Sequence, residues 1–223
     1  MIDIAILYDY RFVLLTGLLG TVAITTCSII IGTGIAIPLS VAMNSRFTAL
    51  RLAVNGFVFV MRGVPLLVLL TGVYYVLPVL SGFKLSAFTT SLIVFSTYLS
   101  AFVSDVLRSA IASVPMGLID TGKSLGLSSV DIHKAIVFPW VLRSSIAPVF
   151  SLYLGLLKYS TIASVISAHE IQHAGDLIML NELRPLEAFG ATCLLFLFIS
   201  VPASILVRMV EANYSIRPEQ AQL

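Results

Sequence analysis

Uncharged apolar stretches long enough to cross a bilayer run through most of this chain and leave few folds open to it. Residues 12–45 carry no charge before Arg46, residues 85–104 lie between Lys84 and Asp105, and residues 188–207 are uncharged throughout. Two further stretches hold one charged residue each, Arg62 within 52–83 and Lys158 within 144–169. A spanning helix needs about 20 predominantly apolar residues. Backbone polar groups have no water partner in hydrocarbon, so such segments satisfy themselves as helices. The chain therefore reads as an all-α integral membrane protein with five transmembrane helices over those ranges, in one domain covering 1–223. Pro65, directly after Arg62-Gly63-Val64, predicts a kink near the cytoplasmic third of the second span.

Composition agrees with that class. The 223 residues are 58% hydrophobic and only 11% charged, whereas soluble domains carry about 25% charged residues. A formal net charge of +2 with scattered basic residues gives no footing for nucleic acid. Cys27 and Cys193 lie in apolar runs, where a free thiol acts as a small packing residue. The opening MIDIAILYDYRF places Asp3 and Asp9 ahead of the first apolar run and lacks a basic n-region and a small-residue cleavage site, so that run is expected to be retained. With the N-terminus outside and the C-terminus cytoplasmic, the inner side receives Arg46, Arg51, Arg108, Lys123, Lys134, Arg143, Arg208 and Arg217, and the outer side Arg11, Lys84 and Arg184. The positive-inside rule favours that orientation. The polar tail from Asn213 to Leu223 is short enough to be a frayed end.

The loop 105–143 is then cytoplasmic. It contains GLIDTGKS at 117–124, a letter-for-letter match to the phosphate-cradling loop of nucleotide hydrolases. A working loop of that kind needs a strand before it and a helix beginning at its Lys-Ser. The upstream SAIASVPM has no buried-strand pattern, and Pro115 would interrupt a central strand. The match is read as accidental. Instead, Pro115 and Gly117 mark the start of a short helix over 118–125, and Gly126 permits the turn out of it. Ser128, three residues before Asp131, opens a second helix over 129–138 that Pro139 ends. Leu118, Ile119, Leu125, Leu127, Ile132 and Ile136 give these helices an apolar face. Packing against the inner ends of the spans and docking to another protein account for such a face equally well.

A resemblance separates these two. Ser104-Asp105 through Met116-Gly117, then Asp120-Thr121-Gly122-Lys123-Ser124-Leu125-Gly126-Leu127-Ser128, then Ile136-Val137-Phe138-Pro139, resembles the EAA loop of ABC importer permeases, above all the polar amino acid uptake family. Gly20-Thr21-Val22 with Gly34 and Pro38-Leu39 is similar to that family's first span. Met61-Arg62-Gly63-Val64-Pro65-Leu66-Leu67 resembles its Phe-Arg-Gly-Thr-Pro-Leu-Leu signature, and Leu156 to Ile166 its Leu-Leu-Lys-Asp-Thr-Ser segment. The signatures follow in the family's order and cover nearly the whole chain. Asp120-Thr121-Gly122 stands where the family carries Glu-Ala-Ala, and Tyr159 replaces its Asp.

The resemblance implies a type I importer fold in a bacterial inner membrane, with a coupling helix at which Asp120, Thr121, Gly122, Leu125, Gly126, Ile136 and Pro139 dock an ATPase subunit. It implies as partners a dimer of ATPase subunits that keep ATP and Mg to themselves, a second permease chain that is either different from this one or identical to it, an extracytoplasmic solute-binding protein, and the lipid bilayer. The cargo would be a polar amino acid or a relative such as an opine. On this reading the chain is no enzyme and holds no cofactor or metal. Lys158, Ser160, Thr161 and Arg62 are the candidate residues of the substrate path, since intramembrane charges mark such paths; snorkelling or backbone contact explains Arg62 as well. Lys158 has the competing reading of a structural pair with Glu170 or with a carboxylate of the partner chain. His169, Glu170, His173 and Asp176 have a loose metal-ligand spacing, but a wetted gate or binding-protein contact suits their exposed position better. Ser28, Gly32, Ala36 and Ser40 form a small-residue stripe suited to close helix packing. A standalone secondary transporter is the alternative function; it would ordinarily show two similar halves, and no such repeat is present.

Overall fold

The computed structural model describes residues 4–214, so Asp3, Arg217 and the end of the polar tail lie outside it; within that range every regular element is helical. Helix α1 (Ile4–Asp9) leads into α2 (Arg11–Ala42), and α3 (Thr48–Gly63) follows a short link. Next come α4 (Leu66–Thr71), a π turn (Gly72–Val76) and α5 (Leu77–Ser81), then the long α6 (Ala87–Ala112). Helices α7 (Met116–Ser124) and α8 (Ser129–Ile132) precede a second π turn (His133–Val137) and α9 (Phe138–Tyr159). A 3₁₀ stretch (Ser160–Ile166), α10 (Ile171–Glu182) and α11 (Pro185–Tyr214) complete the described chain.

Among the described residues four stretches are long and apolar enough to cross a membrane: Arg11–Ala42, Ala87–Ala112, Ser129–Ile166 and Pro185–Tyr214. The expected second span is not one kinked helix. Its two halves, Thr48–Gly63 and Leu66–Ser81, meet at 105°, and they make a fifth span only if the bent pair is taken together. The cause is local. A residue before proline is pushed out of the α region, and Val64 (ψ 131°) and Pro65 (ψ 136°) are both extended. Two successive non-helical residues turn the axis, where a single proline in a continuous helix would bend it modestly.

Prolines also explain both π turns. Pro78 and Pro139 each follow a π turn by two residues, and Tyr74 and Ala135, four residues before them, sit inside those turns. A helical proline leaves that carbonyl without its donor and presses on it, and a wider turn relieves the clash. Pro139 therefore does not end the helix at Phe138 as expected; the helix passes through it. Pro38, Pro148 and Pro202 are carried inside long helices without a π turn. The third span likewise runs beyond residue 104 to Ala112, so Asp105 and Arg108 are helix residues rather than loop residues.

Helix α2 packs on α6 and on α10 through small residues. Gly17, Thr21, Thr25, Ser28, Gly32, Ala36 and Ser40 are all buried on one face of α2. A Cβ at Gly32 would stand 2.8 Å from the Ser96 carbonyl oxygen, so the backbones themselves are in contact. In lipid, close packing of this kind substitutes for a hydrophobic driving force between helices. The main core gathers Ile24, Leu70, Phe95, Leu99, Leu156 and Ile166. A second, smaller core joins the C-terminal end of α2 to α3 and α6 through Met43, Val54, Val58 and Ala101. Cys27 and Cys193 are exposed on the outside of the bundle rather than packed within it.

Candidate functional site

The region after α6 is a compact helical hairpin. Only Ser113, Val114 and Pro115 separate α6 from α7, and Val114 is buried. At the far end of α7, Gly126 has φ +76°, its N–H donates to the Lys123 carbonyl at 2.9 Å, and the Leu127 N–H donates to the Gly122 carbonyl at 3.1 Å. This pair of bonds is the Schellman stop, which needs the left-handed residue that glycine supplies. The Ser128 hydroxyl then accepts from the Asp131 N–H at 3.2 Å and caps α8. Gly122 is buried where the hairpin folds on itself: a Cβ there would meet Ile136 Cδ1 at 3.0 Å, Ile132 Cγ1 at 3.3 Å and Leu127 Cδ1 at 3.5 Å. Glycine thus costs helix propensity at this position but lets α7 approach the following helix. The indole of Trp140 on α9 donates to Ser113 Oγ at 3.2 Å and ties the hairpin's far arm to its root.

Of the docking residues expected from sequence, Asp120, Thr121 and Leu125 are exposed, Gly126 forms the stop, Ile136 packs on Gly122, and Pro139 is half-buried in α9. Leu125 is 75% exposed, and Met116 and Leu118 are exposed with it. Lys123 Nζ lies 3.0 Å from Asp120 Oδ1 on the outer face. All of GLIDTGKS is helical, so the N–H groups that would cradle a phosphate in a loop lie in a helix instead. Lys123→Ala is accordingly expected to leave any ATP binding and hydrolysis of a native preparation unchanged. Nucleotide titration and phosphate release measured on native and variant preparations check this, and loss of hydrolysis in the variant would contradict it.

The residues proposed for the substrate path are not brought together. Arg62 ends α3, donates through Nη1 to Asp105 Oδ2 on α6, and holds its guanidinium 5.5 Å from the Phe102 ring centre. It belongs to a helix–helix contact. Ser160 is fully buried and donates to the Leu157 carbonyl at 2.8 Å. Thr161 donates to the Lys158 carbonyl at 3.0 Å. Lys158 is exposed in the last turn of α9, and among the described residues no carboxylate lies within ion-pair distance of it. The adjacent Tyr159 lines a cavity of about 150 Å³ between α6 and α9 with Tyr98, Phe102 and Gly155.

Glu170 has a role that sequence spacing did not suggest. It is fully buried at the start of α10 and accepts from the N–H groups of Gln172 (2.8 Å) and His173 (2.7 Å). It is the N-cap of α10, where Ser, Thr, Asp or Asn would be usual. Burial pushes its carboxyl up to about 7, against the opposing pull of those two N–H groups. No ion pair joins Lys158 to Glu170. The Ile171 N–H donates to Thr21 Oγ1 of α2 at 3.1 Å, which seats this turn on the first span. His169 and His173 stand with ring centres 5.3 Å apart, and burial lowers the His173 pKa, with His169 acting in the same direction and Asp176 against it. Among the described residues no group of three or more His, Cys, Asp or Glu is placed to hold a metal.

The nearly complete overlay on solved importer chains gives the class of fold. A chain from the "Crystal structure of an amino acid ABC transporter with histidines" matches with a TM-score of 0.89 at 22% identity, over 96% of this chain and 99% of that one. A chain of the MetNI methionine ABC transporter, in an inward-facing conformation, matches with a TM-score of 0.76 at 16% identity, over 92% and 97%. The fold is thus a multi-span, all-α membrane bundle of the type I ABC importer kind. Sequence comparison goes further: the model of the family "Binding-protein-dependent transport system inner membrane component" matches residues 32–216. The probable amino-acid ABC transporter permease protein YckA of Bacillus subtilis is 31% identical over 87% of this chain and 86% of its own length. The arginine ABC transporter permease protein ArtQ of Haemophilus influenzae is 27% identical over 93% and 96%. The chain belongs to the binding-protein-dependent transport system inner membrane component family and is a multi-pass bacterial inner-membrane permease.

Proposed function

We propose that this chain forms part of the translocation path of an ATP-driven importer of polar amino acids or close relatives such as opines. It would pair with a second permease chain, take cargo from an extracytoplasmic binding protein, and dock one of two ATPase subunits, which bind the ATP and Mg. The observation that carries the reading is the hairpin of α7 and α8. It is stopped by Gly126, seated through Gly122, joined to α6 by three residues, and presents Met116, Leu118 and Leu125 uncovered by any other described residue. The amino-acid names of the relatives support the cargo class. The N-out, C-in orientation follows from the basic residues and places this hairpin in the cytoplasm, within the coupling region 105–143. Nucleotide-driven closure of the ATPase dimer would move the hairpin as a rigid body and switch the side to which the bundle opens.

Gly126→Val tests the docking role. A non-glycine residue at φ +76° costs about 1–2 kcal/mol, and a β-branched one more, so the stop should unwind while membrane insertion survives. Co-purification with the ATPase is expected to be lost, or substrate-stimulated hydrolysis to collapse. A Gly126→Val complex that assembles and transports at the native rate would remove residues 117–139 from the docking surface.

A further inference from the structure

The Arg62–Asp105 contact lies at a mechanically exposed place in the fold. Arg62 is in the last turn of α3, immediately before the 105° break that leads to α4 and α5. Asp105 is on α6, the helix that runs on to Ala112 and hands over to α7 at Met116. A second rung lies one turn further along α6: Arg108 Nη1 donates to Asn55 Oδ1 of α3 at 3.3 Å. The order is antiparallel, with Asn55 opposite Arg108 and Arg62 opposite Asp105. The rungs border the small core of Met43, Val54, Val58 and Ala101, and an open cleft of about 420 Å³ lies beside them.

We infer that Arg62 and Asp105 are positioning residues of the transport cycle: they clasp the elbow of the broken helix pair to α6, so that motion of the α7 hairpin reaches α4 and α5. The inference rests on the importer reading above. Arg62 acts on the path through α4 and α5 and does not touch the cargo. The side chains are 46% and 31% exposed. An ion pair that borders an open cleft, rather than one sealed in the core, adds little to folding stability. Removing one should therefore leave a folded complex whose movements are poorly transmitted.

The test uses the whole complex in liposomes, with substrate uptake and ATP hydrolysis measured on the same vesicles. Arg62→Gln and Asp105→Asn are each expected to lower uptake per ATP about tenfold, within the range by which coupled sites influence one another, with the substrate KM unchanged. The double variant should be no worse than either single one, because both remove the same contact. Arg62→Lys, which retains the charge, should restore most of the ratio. Unchanged uptake per ATP in the single variants, or additive losses in the double, would overturn the clasp. A raised KM at native uptake per ATP would make Arg62 a cargo contact, and failure of the variants to assemble would make the pair a folding element; either result also overturns it. A native complex without any ATP-driven uptake would instead count against the importer reading itself.

Discussion

Gly20→Ala is expected to prevent this chain from forming its folded bundle. A Cβ at Gly20 would stand 1.8 Å from the His169 carbonyl oxygen and 2.9 Å from its carbon. Ordinary contact is roughly 3.5 Å or more, and both partners are backbone, so no rotamer change relieves the overlap. The turn at 168–171 would have to leave α2. Its departure breaks the 3.1 Å bond from the Ile171 N–H to Thr21 Oγ1 and uncovers Gly17, which meets Ala174 and the Glu170 carbonyl on the same face. Overpacking usually costs about 1–3 kcal/mol; this site belongs at or beyond the upper end, because the clash is backbone on backbone and a buried hydrogen bond is lost with it. Gly34→Ala is the matched control. It sits on the same helix with nothing within 4 Å of the added Cβ, and it should gain up to about 1 kcal/mol of helix propensity. Thermal unfolding in detergent, followed by size-exclusion chromatography, separates the two. A monodisperse Gly20→Ala protein melting with the native one would show that the α2–α10 contact is not made as described.

What the sequence revealed and what it hid divide along physical lines. Helices α2, α6, α9 and α11 were legible because length and apolarity alone define a membrane-crossing helix. The Gly126 stop and the Ser128 cap were legible because turn and cap chemistry depends on near neighbours. The break after α3 was legible only as a disturbance: Val64-Pro65 announces an interruption, but the 105° angle depends on both residues being extended and on what the two halves pack against. Pro139 was misread because a π turn two residues earlier accommodates it, and the periodicity of HKAIV gives no sign of that turn. Contacts between distant segments stayed hidden. Nothing local pairs Arg62 with Asp105, and without that partner an intramembrane arginine looks like part of a path. Gly122 looked like a helix weakness until Ile132 and Ile136 were found beneath it. Glu170 is the sharpest case, because a carboxylate beside two histidines suggests ligand chemistry while its oxygens in fact close the first turn of α10.

Lys158→Met is expected to abolish most uptake while leaving the folded complex intact. Lys158 lies 14 residues beyond Ser144, and at about 1.5 Å per residue that places it roughly 21 Å along the helix, well inside the membrane zone. A lysine at such depth costs about 2.5–3.5 kcal/mol on insertion scales, so it needs a cavity or a countercharge. Among the described residues no carboxylate, Glu170 included, lies within ion-pair distance of it. A carboxylate of the second permease chain or the carboxylate of the cargo remains. Every α-amino acid carries that carboxylate, so one fixed cation serves the whole class. The neighbouring hydroxyls are poorly placed to help the lysine hold it, because Ser160 is buried and Thr161 donates to the Lys158 carbonyl. Tyr159, next to the lysine in sequence, lines the α6–α9 cavity. Methionine keeps the length of the side chain and removes the charge. If the cation serves the cargo, the variant should lose roughly tenfold or more in uptake, the equivalent of about 1.4 kcal/mol or more. Its thermal stability should hold or rise, because an unpaired charge has left the membrane. A structural pair with the partner chain predicts the reverse order of effects, with the complex dissociating or melting early as the abandoned carboxylate is left uncompensated. Native uptake kinetics in the variant would take Lys158 out of the path altogether.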